Sequence, residues 1–188
     1  IIAGTLKGRT IRFDADRQSA DITMQRVKEA FFSIIACLDI PRSFLDLFSC
    51  SGQMAFEAAS RGYHPVHCIE HDRARYDLLR RNAESLGLSD AVRLHGADYR
   101  GVLASGSLPA EGFGLVYIDP PYQKVKGDVP QYRDILNAVK DHHVCAAGGV
   151  IALQHYSGNT IEPPTGLRVV MTRRYGTNTI TLLQEETR

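Results

Sequence analysis

The run Asp119-Pro120-Pro121-Tyr122 is the part of this chain whose residue types and spacing point most directly to chemistry. Two successive prolines hold φ near about −65° and offer no N–H, so the backbone is stiff. A carboxylate enters this corner and an aromatic ring leaves it. Such a corner can aim the carboxylate and a backbone carbonyl at one amino group while the ring stacks on a flat base. Base-on-aromatic stacking contributes roughly 1–3 kcal/mol. That is comparable with the few kcal/mol needed to turn a base out of its stack. The plainer alternative is a Pro-Pro turn after a buried strand. Asp119, Pro120, Pro121 and Tyr122 are the candidate catalytic residues.

Three further segments end strand-like runs in the same way. Asp46-Leu-Phe-Ser-Cys-Ser-Gly52 is a small-residue turn between a strand and a helix. Small side chains let the backbone approach a ligand, and a helix N-terminus presents free N–H groups. Only Gly52 is glycine, so this is not the dinucleotide pattern. Asp46, Phe48, Ser49, Ser51 and Gly52 are candidate binding residues. Cys50 reads as a small turn residue, since no histidine lies near it in sequence to activate a nucleophile. Glu70 ends the next strand and can accept both hydroxyls of a ribose, with His71 beside it as a surface histidine or a contact. Asp98-Tyr99 follows the third strand. Asp98 can accept from an adenine amino group or cap the next helix, and the two roles are compatible.

The elements that position these residues alternate. Thr23–Leu38 is predicted helical, with Met24, Val27, Phe31, Ile34, Ile35 and Leu38 on one stripe, and Pro41 beyond it. Predicted strands cover Phe44–Phe48, Val66–Glu70, Val92–Leu94, Leu115–Ile118 and Gly149–Gln154. Predicted helices cover Gln53–Arg61, Asp72–Leu86 and Gln131–His142, with a short helix after Asp98. Asp72 is a plausible N-cap and Gly87 a stop. This alternation requires crossover connections and hence a mostly parallel sheet with helices on both faces. Leu167–Arg174 and Thr179–Gln184, separated by Gly176, should pair antiparallel. An N-terminal hairpin is expected from Ile1-Ile2, a Gly4–Gly8 turn and Thr10–Phe13. A loop from Lys124 to Pro130, with Tyr132 and Arg133 after it, could close on a substrate.

The chain has 188 residues, 44% of them hydrophobic, with 22 Lys+Arg against 21 Asp+Glu and a net charge of +1. This balance excludes disordered and collagen-like chains and fits a single α/β domain over 1–188. Within it, 1–40 forms an N-terminal extension and 41–188 an α/β core. Four cysteines lie far apart, which argues against zinc or disulfides and for a reducing compartment such as the cytoplasm. No apolar run reaches the roughly 18 residues of a membrane span. Lys7, Arg9 and Arg12 all precede the first acid, Asp14. With Arg26 and Lys28 they are candidate contacts to nucleic-acid phosphates.

The order Phe44-Leu-Asp-Leu-Phe48 through Ser51-Gly52, then Ile69-Glu70, Asp98 and Asp119-Pro-Pro-Tyr122, resembles the class I S-adenosylmethionine-dependent methyltransferases. The flanks resemble the RsmD-type enzymes: Ile1-Ile-Ala-Gly4 and Gly8-Arg9, Arg26-Val-Lys-Glu-Ala-Phe-Phe32, Phe56-Glu-Ala-Ala-Ser-Arg-Gly62 and Arg174-Tyr-Gly176. The resemblance implies a Rossmann-like seven-stranded sheet with an antiparallel C-terminal hairpin. It implies methylation of a guanine N2 in small-subunit (16S) ribosomal RNA, with S-adenosylmethionine held by the turn from Asp46 to Gly52. Glu70 would hold the ribose, Asp98 the adenine, and Thr23 would lie near the methionine end. RNA or an assembling small subunit would be the partner of a cytoplasmic monomer with no metal. Asp21-Ile22 stands where the family carries Arg-Pro. Cys50 and Ala55 stand where it carries glycine, so crowding of the cofactor or a less comfortable backbone is expected there. An amino-methyltransferase acting on adenine, or a non-catalytic RNA-binding relative, remains compatible with these residues.

Overall fold

The computed structural model describes residues 1–13, 21–121 and 126–186, with the backbone alone for 21–24. The described elements follow in chain order as α1 (Asp21–Ile35), β1 (Phe44–Asp46), α2 (Gln53–Ser60), β2 (Val66–Ile69), α3 (Arg73–Leu86), β3 (Val92–His95) and α4 (Tyr99–Ala104). Next come β4 (Phe113–Ile118), β5 (Gly127–Asp128), α5 (Pro130–Asp141), β6 (Cys145–Tyr156), β7 (Asn159–Thr160), β8 (Leu167–Tyr175) and β9 (Asn178–Glu185).

The alternation produces the expected sheet. Seven strands lie in the order β3-β2-β1-β4-β6-β9-β8. β3 through β6 in that order are parallel, and β9 is antiparallel to both β6 and β8. The chain moves outward from β1 to β2 and β3, then returns to the other side of β1 as β4. That reversal makes the carboxyl ends of β1 and β4 the topological switch point, where open α/β sheets bind ligands.

Both sheet faces are buried, which explains why β4 reads as a continuous apolar run and why β1 and β2 are buried throughout. On one face, α1, α2 and α3 cover Phe44, Val66, Cys68, Leu115, Tyr117, Ala152 and Leu182. On the other, α4 and α5 cover Leu45, Ile69, Val116, Ile118, Ile151 and Leu183. Phe31 of α1 packs against Tyr117 at 5.4 Å between ring centroids.

Three expectations need correction. The N-terminal segment forms no strand ladder. Its ends do meet, since Gly8 N–H donates to the Ile1 carbonyl at 3.0 Å and the Ile1 ammonium donates to the Arg9 carbonyl at 2.8 Å. Several of its other donors go to α2 instead of a partner strand. Ile2 and Ala3 donate to the two carboxylate oxygens of Glu57 at 2.7 and 3.0 Å, and Leu6 donates to Ser60 Oγ at 2.9 Å. Gly4, at φ 82°, lies so close to α2 that a Cβ would stand 1.8 Å from the Ser60 carbonyl oxygen. Second, α1 ends at Ile35, and residues up to Leu38 continue as a tighter turn through bonds such as Cys37 N–H to the Ile34 carbonyl. Third, Gly127 and Asp128, within the segment read as a closing loop, form a two-stranded parallel sheet with Asn159 and Thr160.

Candidate active site

The first strand end is built by Ser49. Its Oγ donates to the Asp46 carbonyl at 3.0 Å and accepts the Ile69 N–H at 3.1 Å, which joins β1 to β2 where the turn begins. The Gly52 N–H then closes the turn on the Ser49 carbonyl at 2.7 Å. Gly52 adopts φ 87°, and a Cβ there would strike the Phe56 ring at 2.2 Å, so glycine is required. Cys50 adopts φ 47°, a left-handed conformation unusual for a side-chain-bearing residue. The less comfortable backbone expected of a glycine-poor turn is present at this residue.

Glu70 is buried and fastens this turn to β2. Oε2 accepts the Cys50 N–H at 2.9 Å, and Oε1 accepts the Asp72 N–H at 2.8 Å. Each carboxylate oxygen retains acceptor capacity beyond that one bond. His71 is exposed, with Nδ1 3.5 Å from Glu70 Oε1. Asp98 is exposed and caps α4 by accepting the Arg100 N–H at 2.9 Å on Oδ1. The capping role is real and leaves Asp98 at the sheet edge. Tyr99 is buried, with its ring 5.3 Å from that of Phe48. The two rings form an apolar wall between the first and third strand ends.

Asp46 lies fully inside beneath the turn. Burial, followed by the negative charge of nearby Asp119 and Glu70, pushes its carboxyl up from 3.8 to about 8, against the Phe48 N–H that favours the anion. Three acids thus converge at the carboxyl ends of β1, β2 and β4. The charges of Asp119 and Glu70, which add to burial in keeping Asp46 protonated, suit a cationic group placed above them.

Asp119 stands one residue beyond β4 and is partly exposed, and Pro120 behind it is buried. Gln154, one residue past the last β4–β6 pair, donates from Nε2 to Asp119 Oδ2 at 3.3 Å. Tyr122 lies outside the described residues, as does the side chain of Thr23, whose backbone belongs to α1.

The basic candidates divide. Lys7, Arg9, Arg12 and Arg26 are exposed. Arg9 also donates to the Ser85 carbonyl near the C-terminus of α3 at 2.8 Å. Lys28 is only 4% exposed and lies 3.7 Å from Glu57, so its charge is spent inside the protein and it leaves the set of phosphate contacts. Tyr132 is buried in α5, with its hydroxyl on Asn159 Oδ1 at 3.3 Å, and Arg133 is paired with Asp128 and Glu162. Neither belongs to a free loop.

Sequence reasoning missed three buried polar residues: Glu57, Asn82 and Gln154. Asn82 is fully buried in α3 and donates to the carbonyls of Ser51 at 3.0 Å and Arg12 at 2.9 Å. It also accepts the Arg12 N–H at 3.0 Å. One amide therefore ties the basic segment to the ligand turn. The available signal was a lone polar residue on the apolar stripe of α3.

A family model described as conserved hypothetical protein 95, that of the RsmD-type proteins, matches residues 1–184. The chain belongs to this family. The YlbH protein of Bacillus subtilis is 28% identical over 175 residues, covering 93% of this chain and 91% of that protein. Ribosomal RNA small subunit methyltransferase D of Escherichia coli is 31% identical over 124 residues, which span 66% of this chain and 60% of that protein. A solved structure from Escherichia coli, yhhF, aligns with a TM-score of 0.80 at 24% identity, covering 100% of this chain and 98% of that one. The family has the class I methyltransferase fold described above. No helix among the described residues is long and apolar enough to cross a membrane.

Proposed function

We propose that this chain transfers the methyl group of S-adenosylmethionine to the exocyclic N2 amino group of a guanine in small-subunit (16S) ribosomal RNA. The observation that carries the reading is the meeting, at one sheet edge, of an acid on a Pro-Pro corner with a ligand turn and two further strand-end acids. It occurs in a chain of the RsmD family.

The residues present suit this cofactor. Glu70, buried and anchored through both oxygens to the backbone, can accept the ribose hydroxyls with its remaining lone pairs. Asp98 and the Phe48–Tyr99 wall suit an adenine ring with its amino group. The like charges around Asp46 favour a sulfonium cation. When bound, S-adenosylmethionine supplies a methyl group already activated by the positive sulfur.

The protein's task is alignment and exclusion of water. A guanine amino group is a poor nucleophile because its lone pair is delocalised into the ring. Asp119 and the Pro120 carbonyl accept its two N–H bonds, which favours a more tetrahedral nitrogen. Asp119 acts as a positioning acceptor, because the nitrogen becomes acidic only as it gains the methyl. Tyr122 stacks on the extruded base. Lys7, Arg9, Arg12 and Arg26 pair with RNA phosphates. The protein works as a monomer in the cytoplasm.

The test is transfer of labelled methyl to small-subunit RNA, followed by nucleoside analysis. Labelled N2-methylguanosine supports the reading. Label in adenine, in protein or in no acceptor refutes it.

A further inference from the structure

Behind Asp119 runs a short chain of buried polar groups. The Tyr117 hydroxyl donates to Gln154 Oε1 at 2.8 Å, and Gln154 Nε2 donates to Asp119 Oδ2 at 3.3 Å. Tyr117 is 3% exposed and Gln154 2% exposed. The order of donors matters, because a Gln amide has one acceptor end and one donor end. With the Tyr117 hydroxyl on its oxygen, the amide can present only N–H to Asp119. The opposite orientation would set two oxygens against each other.

Tyr117 is itself held by rings from two other elements. Phe31 of α1 lies 5.4 Å away, tilted, and Phe44 of β1 lies 6.4 Å away, stacked at 21°. The Phe31–Phe32 pair, at 5.1 Å, extends the same aromatic layer. The orientation of Asp119 therefore depends on the packing of α1, the helix that also carries Arg26.

Resting on the methyl-transfer reading above, we propose that Gln154 and Tyr117 are positioning residues for the reaction. Gln154 holds the Asp119 carboxylate through Oδ2 and so fixes its orientation toward the acceptor amino group, and Tyr117 anchors the Gln154 amide by its oxygen. Neither residue touches substrate. Their effect falls on the geometry of the transition state, where a displacement of about 1 Å costs on the order of 100-fold in rate.

The experiment compares wild type, Gln154→Met, Tyr117→Phe and the double variant in methyl transfer to small-subunit RNA. Cofactor affinity is measured separately with S-adenosylhomocysteine. Methionine keeps the length and volume of the side chain, and phenylalanine removes a single oxygen, so both variants should fold. Gln154→Met is expected to lower kcat by about 10- to 100-fold, with KM for RNA and the Kd for S-adenosylhomocysteine within about threefold of wild type. Tyr117→Phe is expected to lower kcat by about three- to tenfold. The double variant is expected to fall within about twofold of Gln154→Met, because Tyr117 acts through Gln154. Multiplying effects, an unchanged kcat, or a parallel loss of cofactor binding would overturn the assignment while the proposed function stands. A wild-type chain that labels no RNA would overturn the proposed function and this assignment with it.

Discussion

One carboxylate oxygen of Glu70 accepts the N–H of Cys50 at 2.9 Å, and that N–H belongs to a residue held at φ 47°. The ligand turn is thus a strained backbone fastened from the neighbouring strand. Glu70 shapes the turn, and in the proposed function it also holds the ribose.

The left-handed conformation costs a side-chain-bearing residue about 1–2 kcal/mol, and glycine escapes it at some cost in unfolded-state entropy. Cys50→Gly should leave stability within about 1 kcal/mol of wild type or raise it, with cofactor affinity retained. Cys50→Val should lose more than about 1 kcal/mol, because a β-branched residue tolerates positive φ poorly. Glu70→Ala should weaken S-adenosylhomocysteine binding by about tenfold or more, since two backbone N–H groups lose their acceptor along with the ribose. Denaturant melts and calorimetry check all three.

Asp46 titrates near 8 in the folded chain and near 3.8 when unfolded. Between those values the folded state binds more protons, so its contribution to stability falls as pH rises from about 4 to about 8. Asp46→Asn keeps the neutral form at every pH. The melting temperature of wild type should therefore fall relative to this variant by more than about 2 °C between pH 5.5 and 8.5. Parallel curves would mean that Asp46 is not held neutral by its surroundings.

The N-terminal basic loop is fixed to α2 through Glu57 and Ser60, and the Ser60 hydroxyl also donates to the Ala3 carbonyl at 2.6 Å. Ser60→Ala should cost about 1 kcal/mol. It should weaken RNA binding while the Kd for S-adenosylhomocysteine stays within about twofold. Glu57→Ala should be harsher, about 3–5 kcal/mol, because one buried carboxylate serves the Ile2 and Ala3 N–H groups and both Lys28 and Arg61. Thermal melts and RNA titrations separate the two effects.

If Lys7 and Arg12 meet phosphates, wild-type RNA binding should weaken steeply with added salt. The variant Lys7→Ala, Arg12→Ala should reduce the slope of log affinity against log salt by about 1.5–2. An unchanged slope removes both residues from the RNA contact.

The sheet was legible because strands buried on both faces read as short apolar runs, and the residues just after them lie at the ligand edge by topology alone. That reasoning put Asp46, Glu70, Asp98 and Asp119 at or just beyond strand ends, and the structure has them there. The N-terminal segment was misread because its donors are satisfied by Glu57 and Ser60, whose nearness follows only from tertiary packing. Lys28 looked like a surface cation for the same reason, since its partner lies on another helix. Gln154 was invisible because its role depends on the register that sets it beside Asp119 and in reach of Tyr117. Tyr122 belonged to the strongest motif, but it falls outside the described residues, as does the Thr23 side chain.

The division of labour between a carboxylate that positions the acceptor and a turn that holds the cofactor is tested most directly with Asp119→Ala. Methyl transfer to small-subunit RNA and calorimetric binding of S-adenosylhomocysteine are measured on the same preparation. Transfer should drop by at least about 100-fold with the Kd within about threefold of wild type. Equal loss of both, or transfer that survives without the carboxylate, would contradict the role given to Asp119.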